Sequence, residues 1–201
     1  MNQHLIVLLN DLLHELGEDK VKSVLSGFLC PLNKDVENFI KNTSINFVKQ
    51  GIAATHLVFA PFGTETALVG YFSLANKCID IPTANLSGSI KKRLSRFCPR
   101  NSVNDVFHIA LPLIAQLGKN YANDFNSLIS GDKLLGMAID TIKEAQRNIG
   151  GRFAYLECED IAYLKDFYRS SGFIEFSDRP LDDDDASVLK GNKLIRMIRY
   201  I

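Results

Sequence analysis

Three stretches in the second half of the chain leave few folds open. Residues 106–117 (VFHIALPLIAQL) form a long apolar run. Residues 131–148 carry Leu135, Ala138, Ile139, Ile142 and Ala145 at helical spacing, with Ile149 beyond, and Gly150-Gly151 closes that segment. Residues 153–158 are apolar and β-rich again. A strand, a helix and a strand in this order and at this separation make a βαβ crossover, which predicts that the two strands are parallel. Pro112 lacks a ladder N–H, so the first strand is expected to bend or bulge there rather than stop.

The next stretch extends the crossover. Glu159 and Asp160 offer helix-start carboxylates, residues 161–169 hold helical spacing, Gly172 stands where a helix needs a left-handed stop, and 173–176 is a further strand. The final segment, 192–201, alternates as a last strand returning beside 173–176.

The first half supplies the other elements. Leu5, Leu8, Leu9, Leu12, Leu13 and Leu16 share one side of a helix predicted over 3–16, ended by Gly17. A short helix over 19–26 and a brief strand at 28–30, ended by Pro31, come next. Asn33 caps another helix with Asp35 and Glu37 in its first turn, Val36, Phe39, Ile40, Thr43 and Phe47 inside, and Gly51 at its end. Residues 55–59 and 67–74, separated by PFGTE, read as an antiparallel hairpin. Between 75 and 105 the pattern loosens around SIKKRLSRF, as an insertion would. The fold class is therefore α/β (mixed α+β), with helices on both faces of a central mixed sheet. A helical extension, 1–27, precedes one domain, 28–201, with an insertion at about 76–105.

Composition narrows the function. Lys+Arg and Asp+Glu both number 23, so no whole-chain field attracts nucleic acid, although Lys91, Lys92, Arg93, Arg96 and Arg100 gather in one basic patch. That patch is equally the solvated face of an insertion helix. The run 182–185 is an acidic loop, either a solvated turn or an attraction for a cationic amine. Cys30, Cys78, Cys98 and Cys158 lie far apart without a CxxC pair and suit reduced thiols; no metal-ligand spacing occurs. Residues 5–9 follow no basic leader and are too few to span a bilayer, so a cytoplasmic protein is expected.

The run Phe167-Tyr168-Arg-Ser-Ser-Gly172-Phe173, at the right distance from the crossover, resembles the acetyl-CoA-binding core of the GNAT superfamily of N-acetyltransferases, bacterial members included. The resemblance implies the GNAT fold, splayed between the parallel strands 106–117 and 153–158. It also implies acetyl-CoA as cosubstrate, no metal, and direct transfer of the acetyl group to a primary amine. By the same resemblance Tyr168 protonates the departing coenzyme A thiolate, and the helix start at Ser130, Gly131, Asp132 and Lys133 holds pyrophosphate. Gly131 and Leu134-Leu135 keep the family register, whereas Asn126 replaces the usual Arg or Gln and Ile129 replaces a glycine. Ser130 as a plain helix cap is the alternative.

The pantetheine arm is expected along the main chain of Leu117, Gly118 and Lys119, with Asp160, Lys165 and Phe167 near the coenzyme groove. Glu157 and His108 are the candidate proton acceptors; for His108 a buried, satisfied core histidine is the other reading. FLCPLNKDVENFI, ATHLVF and ALVGYFSL also look like the toxin subgroup of toxin–antitoxin modules, which acetylates aminoacyl-tRNA. Acceptors thus range over small molecules, peptides and charged tRNA. A non-catalytic acyl-CoA-binding regulatory module is the alternative, and the leucine-rich first helix offers a homodimer surface.

Overall fold

A computed structural model describes residues 4–181 and 192–201. Among these described residues, seven α-helices and eight strands form an α/β fold whose mixed sheet runs β1-β2-β3-β5-β6-β8-β7, with β4 beside β5. The chain divides into two compact units: Met1–Ala75 with Ile114–Ala138, and Asn76–Leu113 with Ile139–Ile201.

The first unit begins differently from the expected helix over 3–16. Leu5–Leu8 is a strand, β1, and the helix α1 starts only at Leu9–Leu16. β1 adds antiparallel to β2 (Ala54–Phe62), from Leu5 opposite Phe59 to Leu8 opposite His56. The reason is an unsatisfied sheet edge: leucines compatible with either period gain a ladder partner there, and a helix start does not offer one. β2 pairs in turn with β3 (Glu65–Pro82), with a bulge between Val58 and Phe59.

α2 (Glu18–Ser26), α3 (Lys34–Asn38) and α4 (Ser44–Lys49) follow, the last two joined by a widened turn at Phe39–Thr43. Asn33 caps α3 as expected, its side chain accepting from the amides of Asp35 and Val36. Residues 28–30 are not a strand. The Leu29 amide donates to the Asn120 side chain, and the Leu29 carbonyl accepts from Tyr121. Leu9, Val21, Leu25, Phe28, Val36, Ile40, Leu57 and Tyr71 make this unit's core.

The second unit holds α5 (Gly88–Leu94), β4 (Arg100–Asn101), β6 (Phe153–Glu159), α7 (Ala162–Ser170), β7 (Ile174–Pro180) and β8 (Lys193–Tyr200). β8 pairs antiparallel with both β6 and β7, beside 174–180 as its alternation predicted. Its core gathers Ile79, Ile81, Leu94, Phe107, Ile109, Phe153, Tyr155, Phe176 and Ile198. β3 and β5 (Val106–Lys119) run through both units, as does α6 (Gly131–Ile149). In α6 Leu135, Ala138, Ile139 and Ile142 are buried as expected, but Ala145 and Ile149 are exposed, and Gln146 is the buried residue of the last turns. Its amide donates to the Phe153 carbonyl at 2.9 Å, which accounts for a polar group inside.

Candidate functional site

Tyr168 lies in the last turn of α7. Gly172, at φ 83°, ends the helix in a left-handed cap: its amide reaches the Arg169 carbonyl at 2.9 Å, and the Phe173 amide reaches that of Tyr168 at 3.0 Å. This turn aims Phe173 into the core and sets its ring edge-on to Tyr168, with centroids 6.0 Å apart; the Phe167 ring also packs against Tyr168, at 5.0 Å. Desolvation pushes the Tyr168 phenol well above its ordinary value, reinforced by Cys158 and Tyr163. Among the described residues nothing hydrogen-bonds its hydroxyl. The result is a protonated phenol with its donor uncommitted.

Asp160 does not cap α7, whose N-cap is Ile161 without a side-chain bond. It pairs instead with Lys165, which holds its carboxyl below the usual range. Phe167 is half-buried.

Glu157, on β6, is almost fully enclosed. Lys77 Nζ lies 2.9 Å away, Arg179 Nε 2.8 Å, and the Tyr155 hydroxyl donates to the same carboxylate. Burial alone would raise its pKa, but bonds from Tyr155, Lys77 and Arg179 outweigh burial and hold it low. Arg196 Nε donates to the Tyr155 oxygen at 3.1 Å and extends the network. His108 is not a buried core histidine: it is exposed on β5, its Nδ1 2.7 Å from Asp80 Oδ1 and its Nε2 3.1 Å from Cys78 Sγ.

The residues read as a phosphate site belong to the first unit. Ala122–Leu128 is a tight turn in which Asn123 and Asp124 take left-handed φ of 48° and 59°, and Asn126 is half-buried. Ile129 follows at φ −143°, ψ 136°, an extended backbone any residue adopts, so no glycine is required where the family pattern has one. Its side chain is buried. Ser130 Oγ then accepts from the Lys133 amide at 3.1 Å and caps α6. The amides of Gly131 and Asp132 precede any carbonyl the helix could offer them. Gly118 is buried, Leu117 and Lys119 are half-buried, and burial lowers the Lys119 ammonium.

Leu117, Gly118, Lys119, Asn126 and 129–133 thus share one unit, and His108, Glu157, Asp160, Lys165, Phe167 and Tyr168 share the other. The acidic run 182–185 lies outside the described residues. Two features gave no sequence signal. Asn120 ties three segments together: its oxygen accepts from the Leu29 and Ala122 amides, both at 3.0 Å, and its nitrogen donates to the Leu68 carbonyl at 2.8 Å. Around Glu157, Tyr155 is its neighbour on the same face of β6, but Lys77 and Arg179 come from two other strands, and only the fold of the sheet brings them close.

No protein-family model matches the sequence, and comparison with the curated proteins finds no relative. Solved structures do match. A tyrosine-to-phenylalanine mutant of KacT superposes with a TM-score of 0.63 at 16% identity, covering 96% of this chain and 94% of that one. AtaT complexed with acetyl-methionyl-tRNAfMet gives 0.62 at 16%, over 96% and 94%. AtaTR bound with AcCoA gives 0.57 at 18%, over 96% and 92%. The chain has the GNAT fold.

Within that GNAT fold, the family register at Leu134-Leu135 has a packing cause: both side chains are buried under the first turns of α6, beyond the capped start at Ser130. No group of His, Cys, Asp and Glu able to hold a metal ion occurs among the described residues, nor is any helix there long and apolar enough to cross a membrane.

Proposed function

We propose that this protein is an acetyl-CoA-dependent N-acetyltransferase whose acceptor is the amine of an aminoacyl-tRNA. The observation that carries the reading is the likeness, over 96% of the chain, to AtaT, a structure of which holds acetyl-methionyl-tRNAfMet. Tyr168 supports it chemically. A phenol whose pKa is pushed up keeps its proton at neutral pH, and a hydroxyl without a partner is free to give that proton to a sulfur.

Acetyl-CoA supplies a thioester carbonyl open to amine attack and a thiolate that leaves. The amides of Gly131 and Asp132 with the Lys133 side chain would hold its phosphates, Asn126, Ile129 and Ser130 shaping that helix start. The main chain of Leu117, Gly118 and Lys119 would take the pantetheine arm. Glu157 is already neutralised by two cations and His108 already bonded at both ring nitrogens, so the amine's proton leaves to water. Lys92 and Arg96, exposed on and after α5, are the basic groups for a phosphate backbone.

The test is release of free thiol from acetyl-CoA with charged tRNA, uncharged tRNA, free amino acids and lysine peptides as acceptors. Charged tRNA alone should support turnover, falling steeply as salt rises. Turnover with free amino acids at equal rate would discard tRNA as acceptor and keep the transferase. Thermal stabilisation by coenzyme A without turnover on any acceptor would favour an acyl-CoA-binding regulatory module.

A further inference from the structure

Cys78 and Asp80 alternate with the buried Ile79 and Ile81 along β3, so both present their side chains on the solvent face; His108 does the same on β5 between the buried Phe107 and Ile109. Cys30, Cys98 and Cys158 are buried, which leaves Cys78 as the exposed thiol of the four. The three side chains meet in a line. Asp80 Oδ1 is 2.7 Å from His108 Nδ1, and His108 Nε2 is 3.1 Å from Cys78 Sγ. A carboxylate only accepts, so Nδ1 carries the hydrogen and Nε2 is left as the acceptor for the thiol proton. Arg196 steadies the acidic end by donating to the Asp80 carbonyl at 3.1 Å. Nucleophile, base and orienting carboxylate are thus in the relation that activates a thiol, on two rigid strands and open to solvent.

We propose that Cys78, His108 and Asp80 form a nucleophilic thiol site that takes acyl groups from thioesters. His108 Nε2 accepts the Cys78 proton as Sγ attacks the thioester carbonyl. The Sγ–carbon bond forms, the bond from that carbon to the departing sulfur breaks, and the proton passes from His108 to that sulfur. S-acyl-Cys78 and one free thiol result, with no oxidant or reductant involved. Thioesters are the matching class because attacking and leaving groups are both thiols, so the exchange is nearly balanced in energy and expels no poorly leaving amine. That the physiological donor is acetyl-CoA rests on the function proposed above; the nucleophile itself does not.

The full chain is incubated with acetyl-CoA and, separately, with the N-acetylcysteamine thioester of acetate, which lacks the nucleotide, and the acetylated residue is located by peptide mass spectrometry. One acetyl group on Cys78, released by neutral hydroxylamine and absent from Cys78→Ser, is expected with both donors. His108→Gln should slow labelling by about tenfold or more, and Asp80→Ala by a smaller factor. Labelling of Cys78 at equal rates in His108→Gln and the unsubstituted protein would reduce it to a merely exposed thiol and overturn the proposal, as would labelling confined to lysines. If Cys78 is labelled by the small thioester and no amine is ever acetylated, the inference stands and the proposed function falls; the reverse result removes only the inference.

Discussion

Gly118 faces Val36 with no room for a methyl group: a Cβ at Gly118 would lie 2.3 Å from Val36 Cγ1 and 3.3 Å from the Tyr71 ring. Val36 cannot simply retreat, because its carbonyl accepts the Tyr71 hydroxyl at 2.7 Å in the middle of the first unit's core. The glycine is required by space; its φ is not positive. Gly118→Ala should therefore cost about 1–3 kcal/mol, as overpacking does. It should be read as a lower urea midpoint at unchanged slope. Adding Val36→Ala should recover part of that loss, and an unchanged midpoint in the single variant would disprove the contact.

Asn120 fixes the chain between β5 and the turn that leads to α6, and each of its side-chain bonds is to backbone. Removing it leaves the Leu29 amide and the Leu68 carbonyl without those partners inside the unit, at about 1–3 kcal/mol for each buried group. Asn120→Ala should lower stability by about 3 kcal/mol and speed hydrogen exchange at the Leu29 amide. Asn120→Asp should recover the acceptor role but not donation to Leu68, so it is expected between the two. Exchange at Leu29 as slow as in the parent protein would refute this.

His56 is buried with its ring stacked on Phe72 at 4.6 Å, and its Nδ1 meets no partner among the described residues. Burial lowers its pKa below the ordinary imidazole value. The folded state thus takes up this proton less readily than the unfolded chain, and stability falls as pH drops below the ordinary imidazole value. His56→Phe should flatten the stability profile between about pH 6.5 and the range where carboxylates titrate. Glu37 governs the acid end: the Cys30 amide and Lys41 hold it at about 2, so its contribution is lost as pH falls through the ordinary carboxylate range towards that value. An unchanged slope in His56→Phe would assign the near-neutral loss to another group.

The crossover was legible because its three parts carry unmixed periods: α6 and β6 begin where the apolar spacing changes, and Gly172 marks the end of α7 within two residues. The front was less so, since leucines at 5, 8 and 9 satisfy a helix and a strand alike, and only the open edge of β2 decides between them. β3 runs to Pro82, past the expected end at 74. Its second half alternates Cys78 and Asp80 with Ile79 and Ile81, a pattern the surrounding polar residues obscured. The ties of Asn120 to Leu29 and Leu68, and of Glu157 to Lys77 and Arg179, could not be read at all, because those bonds join residues 22 to 91 positions apart. Ile129 shows the converse: a missing glycine counted against the phosphate loop, yet the backbone there is extended and asks for none.

Tyr168 separates a structural role from a chemical one more cleanly than any other residue. Its ring is held by Phe167 and Phe173, while its hydroxyl has no partner among the described residues. Tyr168→Phe keeps the ring and removes an uncommitted, poorly solvated group, so stability should change by no more than about 0.5 kcal/mol, unlike the loss of a bonded buried tyrosine. If the hydroxyl is the proton donor, kcat for acetyl transfer should fall by about 100-fold or more with little change in the KM for acetyl-CoA. Urea denaturation and steady-state kinetics on one preparation decide the matter. A large loss of stability with parallel loss of activity would make Tyr168 a packing residue, and full activity would remove it from the chemistry.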